Sequence, residues 1–166
     1  MPAFPLLRRS AAPWLALAAL AALPGAAAPP QGLAAFGPVA GRCWSGDVGQ
    51  GAVDTHCFAP VYGGAHLRDS HRVIVGGRTV YSGETLYSRE GPRISFTYWN
   101  SLGGVGRGTA TPVDGGIDFA MTMRGNPDEA EQAIASRWRW RQPDGYAVND
   151  GAGKPVVFRR ATGRAR

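Results

Sequence analysis

Residues 54–88 read DTHCFAPVYGGAHLRDSHRVIVGGRTVYSGETLYS, and two glycine pairs, Gly63-Gly64 and Gly76-Gly77, divide the stretch into runs rich in β-branched and aromatic residues. Glycine tolerates the positive φ of a tight hairpin turn, so each pair predicts a reversal and the runs predict antiparallel strands. The rhythm continues in both directions. Strands are expected near 39–46, 54–62, 65–75, 78–88, 93–99, 105–112, 116–123, 135–141, 146–149 and 155–160, with Asp114-Gly115 and Asp144-Gly145 as further turns. Consecutive hairpins make a meander, and the fold class is all-β with eight to ten antiparallel strands. A meander of that size either closes into a barrel or splits into two stacked sheets; closure leaves no exposed edge, and a closed barrel is the expectation. The one helical signal is Asn126-Pro127-Asp128-Glu129, a cap, a proline and two acids, which predicts at most one short helix near 127–135.

The ends of the chain read differently. Arg8-Arg9, an apolar run from Ala11 to Leu23 and the small residues Ala26-Ala27-Ala28 together have the form of a cleaved export signal over 1–28. The apolar run is shorter than the roughly 20 residues that span a bilayer, so no membrane span is expected. Arg8-Arg9 leaves open whether export is general or twin-arginine. The remaining divisions are a linker at 29–38, one domain at 39–160 and a basic tail at 161–166, in a protein placed in the periplasm or secreted. The formal charge of +6 falls to +4 without Arg8 and Arg9 (16 basic against 12 acidic residues), and Arg159, Arg160, Arg164 and Arg166 carry much of that excess at the C-terminus. A nucleic-acid groove needs basic residues gathered on one face, and no nucleic-acid partner is expected.

Strand registers bring chemistry together. If the first hairpin turns at Gly49-Gln50-Gly51, residues whose numbers sum to 100 face each other, and Cys43 meets Cys57 at a spacing a disulfide can bridge. An oxidising compartment favours that bridge over a metal-thiolate site. The same register sets Trp44 opposite His56. Two-residue turns at Gly63-Gly64 and Gly76-Gly77 then pair His56 with His71, Phe58 with Asp69, Asp69 with Glu84 and His71 with Ser82. Because side chains alternate faces, Trp44, His56, Phe58, Asp69, His71, Ser82 and Glu84 fall on one face, with Trp99 as a further member. A slip of one residue in any turn would scatter them.

Gly41, Trp44 and Gly46 on the first strand of a short meander resemble the calycin superfamily, which includes the lipocalins and the fatty-acid-binding and nitrobindin-like barrels. Here two residues separate Gly41 from Trp44, where lipocalins place one. The resemblance implies a barrel with a ligand cavity and a tryptophan plugging its closed end. It also implies that the face carrying Trp44 is the interior. Trp44, His56, Phe58, Asp69, His71, Glu84 and Trp99 are then the expected ligand-binding residues, aromatics as walls and polar groups for orientation, for a small, partly apolar molecule. No cofactor is expected, and haem in particular is not indicated, since no histidine follows His71.

Other readings of the same residues stay open. Asp69 and His71 can simply hydrogen-bond each other on a solvated face. His56, His71 and Asp69 offer a metal-ligand set, and His71 oriented by Asp69 offers a general base. An envelope interaction module using the outer face would need no pocket. Arg137-Trp138-Arg139-Trp140-Arg141 alternates and reads as a half-buried strand with its charges outward. Tyr98 and Trp99 read as core and rim or as a stacking wall, and Gly103–Gly108 as a hairpin, since no helix follows to cradle phosphate. No serine sits in a Gly-x-Ser-x-Gly elbow.

Overall fold

Each run between turns pairs with the next, and the last pairs with the first. The computed structural model describes residues 32–141, 143–151 and 153–161. The expected export signal and nearly all of the expected basic tail lie outside the described residues. The strands are β1 (Cys43–Gly49), β2 (Ala52–Val61), β3 (His66–Val75), β4 (Arg78–Glu90), β5 (Arg93–Asn100), β6 (Val105–Val113), β7 (Gly116–Arg124), β8 (Gln132–Arg141), β9 (Gly145–Asn149) and β10 (Val156–Arg160). They form a closed antiparallel barrel of ten strands, sealed where Trp44 pairs with Arg160 and Gly46 with Phe158. A side chain at Gly46 would stand 3.0 Å from Val156 and 3.1 Å from Phe158, so glycine lets β10 close against β1.

The first hairpin keeps the predicted register by a different device. Gln50 and Gly51 form a two-residue turn, both at positive φ, and a bulge between Asp47 and Gly49 supplies the extra residue, leaving Cys43 opposite Cys57. Their disulfide closes a separation of 14 residues, which stabilises by about 3 kcal/mol through chain entropy. Residues 126–129 make no helix. Asn126 Oδ1 accepts from the Asp128 N–H at 2.9 Å, and the Glu129 carboxylate accepts from Gly125 N–H and Asn126 Nδ2, forming a side-chain-held turn that leads into β8. The structured part is wider than the expected domain: Leu33 and Phe36, in the expected linker, are fully buried with Val39 around a 3₁₀ turn at Ala34–Phe36. This segment plugs one end. The Phe36 ring lies 4.5 Å from Tyr87 and 6.4 Å from Phe119, and Trp44 Nε1 donates to the Val39 carbonyl at 3.3 Å. Among the described residues no helix is long and apolar enough to cross a membrane.

Candidate functional site

On β2 the pleat turns Asp54, His56 and Phe58 inward, and on β3 it does the same for Leu67, Asp69 and His71. His56 stands directly opposite His71 and Phe58 opposite Asp69, as the turn at Gly63-Gly64 predicts. The two imidazole rings stack at 4.7 Å with planes 19° apart. His56 Nδ1 donates to Asp69 Oδ2 at 2.8 Å and its Nε2 to Asp54 Oδ2 at 3.1 Å. His71 Nδ1 reaches Asp54 Oδ1 at 3.2 Å, while its Nε2 meets the Tyr98 hydroxyl at 3.1 Å. That hydroxyl lies 2.6 Å from the Tyr81 hydroxyl. The result is one hydrogen-bonded row from Asp69 through His56, Asp54, His71 and Tyr98 to Tyr81.

The third hairpin departs from expectation. Val75 pairs with Arg78 and Ile74 with Thr79, but Val73 pairs with Tyr81, so Val80 is bulged out and every later pair shifts by one. Asp69 consequently faces Thr85, not Glu84, and His71 faces Gly83, not Ser82. Glu84 points outward, 3.8 Å from Arg68, and Trp99, paired with Glu84, is 45% exposed on the outer surface. Neither belongs to the interior site. Tyr81, Gly83, Thr85 and Tyr98 take the inward positions, and Gly83 is required there. A Cβ on it would fall 2.5 Å from His71 Nε2 and 2.6 Å from the Tyr98 hydroxyl.

The polar row, Asp54 excepted, forms one wall of a cavity of about 330 Å³. Tyr87, Phe96, Phe119 and Trp138 make its aromatic floor, and Met121, Met123, Ile134 and Val148 rise opposite. His56, Asp69 and His71 line the cavity. Trp44 and Phe58 do not; both are buried in the core between this space and the plug. Asp69 is 1% exposed, yet its Oδ1 has no hydrogen-bond partner among the described residues.

Burial alone would depress the His56 pKa, but the charge of Asp69, with hydrogen bonds to Asp54 and Asp69, raises it to about 10. His56 is therefore an imidazolium at neutral pH, donating from both nitrogens. Burial would raise the Asp54 pKa, but hydrogen bonds from His56 and His71 hold it well below the usual carboxylate range. Tyr98 is kept a neutral phenol, first by burial and then by the Tyr81 hydroxyl. Burial likewise raises Tyr87 and Tyr146.

The expected His71 and Asp69 pair is not made. His56 lies between them and takes Asp69 Oδ2, so the carboxylate facing His71 is that of Asp54. The alternative metal-ligand reading of His56, His71 and Asp69 differs from the donors that converge, which are Asp54, His56 and His71, with Asp69 behind His56. Asp54 was within reach of sequence reasoning, since it shares the parity of His56 and Phe58 on one strand. Tyr81 and Tyr98 were not, because their facing depends on the bulge at Val80. The ten-strand antiparallel barrel is consistent with a calycin-like architecture. In comparisons with known proteins the chain matches no family model, and no curated protein matches its sequence.

Proposed function

We propose that this protein is an exported barrel that binds a small, partly apolar molecule noncovalently in its interior, with the polar group of that molecule directed at His71 and the Tyr98–Tyr81 pair. The observation that carries the reading is an aromatic-floored cavity with the polar groups of His71, Tyr98 and Tyr81 along one wall. A volume of about 330 Å³ sits at the small end of the roughly 300–1,000 Å³ typical of small-molecule sites. The Cys43–Cys57 bridge supports an oxidising compartment, periplasmic or extracellular.

The neutral probe N-phenyl-1-naphthylamine, which pairs two aromatic groups with one N–H, tests this. It is expected to bind the intact protein, gain fluorescence and quench Trp138. Met121→Trp, which fills the space from the wall opposite the polar row, should weaken binding at least tenfold, about 1.4 kcal/mol. Native mass spectrometry of protein taken from its own envelope should show a retained small molecule. A probe that does not bind, or binds equally well to the filled variant, together with protein carrying no molecule, refutes the reading.

A further inference from the structure

We propose that Asp54, His56 and His71 form a binding site for one divalent transition-metal ion of the zinc class, held in the cavity wall and backed by Asp69 and by the Tyr98–Tyr81 pair. The inference does not rest on the organic-ligand reading; it rests on how the donor atoms converge. The Asp54 carboxylate, His56 Nε2 and His71 Nδ1 each offer one ligand atom, all within 4.8 Å of one another. Asp54 Oδ2 lies 3.1 Å from His56 Nε2 and 3.3 Å from His71 Nδ1. Two ligands bound at about 2.0–2.2 Å and tetrahedrally disposed stand roughly 3.3–3.6 Å apart, so one carboxylate oxygen stands near ligand spacing from both histidines, and the two imidazole nitrogens, within 4.8 Å of each other, need only close toward that spacing.

The second observation lies behind the donors. A histidine that binds metal through one nitrogen characteristically gives its other N–H to a carboxylate or similar acceptor, which fixes the ring and its tautomer. Both histidines have such a partner: Asp69 Oδ2 at 2.8 Å from His56 Nδ1, and the Tyr98 hydroxyl at 3.1 Å from His71 Nε2. Tyr98 is in turn held by Tyr81, and Gly83 leaves room for the contact. An ordinary buried ion pair requires one imidazole and one carboxylate. Here two stacked imidazoles each direct one nitrogen at the same carboxylate, with every outer nitrogen secured from the far side. Sequestering so many polar groups among aromatic rings is costly, and apolar residues of similar size would be cheaper.

Two imidazoles and one carboxylate are the donor set of open sites, with three protein ligands and a further position for water or a bound molecule. His56 and His71 line the cavity while Asp54 does not, so the ion would sit at the margin of that space. Seating the ion requires both facing nitrogens to be free of protons, so His56 Nε2 would release its proton to solvent, while His71 Nε2 keeps the Tyr98 hydroxyl as its partner.

The test uses intact protein stripped with a chelator and titrated with zinc and with cobalt(II). The expected result is one ion per chain, a visible cobalt d–d spectrum of a low-coordinate nitrogen and oxygen site, and a melting temperature raised by zinc. Asp54→Ala and His71→Ala should each weaken binding by at least about 100-fold. Asp69→Asn should lose about 10- to 100-fold while keeping the one-to-one stoichiometry, as for an outer-shell partner. Glu84→Gln, on the outer surface, should leave binding unchanged. If either alanine variant does not fold, Asp54→Asn and His71→Gln keep the side-chain volume and should show the same loss. No uptake by the stripped protein at millimolar ion overturns the proposal, as does uptake that the Asp54 and His71 variants leave intact. Naphthylamine binding measured with chelator present separates the two readings, since either can fail alone.

Discussion

Gly83 holds open the space in which His71 and Tyr98 meet, so its lack of a side chain matters more than its backbone freedom. An added methyl would lie 2.5 Å from both His71 Nε2 and the Tyr98 ring, and both are packed from behind. Gly83→Ala should therefore push Tyr98 off His71 and destabilise by about 1–3 kcal/mol, the ordinary cost of overpacking. Thermal unfolding measures the loss, and zinc affinity should fall with it. A Gly83→Ala protein with unchanged melting and unchanged affinity would show that the His71–Tyr98 contact is not a structural element of the wall. Asp69 is the complementary case at this scale. One of its oxygens is committed to His56, and the other is buried without a hydrogen-bond partner among the described residues.

At the scale of elements, the hairpins show how far composition could be read. Gly63-Gly64 fixes the pairing of β2 with β3, and the loop that forms is longer than two residues yet keeps the expected register, with Val61 opposite His66. The symmetric widening does not disturb facing, so His56, Asp69 and His71 were legible. The bulge at Val80 is a different matter. Tyr81 and Tyr87 carry the apolar pattern on one parity of β4 and Val80 and Leu86 on the other, so alternation alone could not decide which set turns inward. Glu84 and Trp99 were misplaced for that reason. The plug was missed because Leu33, Phe36 and Val39 lie in a glycine- and proline-rich stretch without periodicity, where only burial reveals their role. Phe36→Ala distinguishes a plug from a linker. Removing a fully buried ring should cost about 3–5 kcal/mol, whereas a surface substitution in a linker would stay within about 0.5 kcal/mol. Urea unfolding reads the difference directly.

For the whole molecule, a barrel plugged at one end with a charged row in its wall makes stability depend on pH in a defined sense. The His56 pKa rises from 6.5 to about 10 on folding, so its contribution is fully present below pH 6.5 and is lost as pH climbs through about 10. Asp54 has the opposite sign. Its pKa falls below 3.8 on folding, so its contribution is present above that value and is lost as the solution becomes more acidic. The chelated protein should therefore be most stable on a plateau between these limits, near pH 4–6.5, and should weaken on both sides. On the alkaline side the folded state holds one proton more than the unfolded chain, which sets a slope of at most about 1.4 kcal/mol per pH unit. Urea midpoints from about pH 6 to about pH 9 measure this slope, and His56→Gln, less stable throughout, should lose it. A rise in stability across that alkaline range, or a slope that survives in His56→Gln, would mean that His56 is not the buried imidazolium of the native barrel.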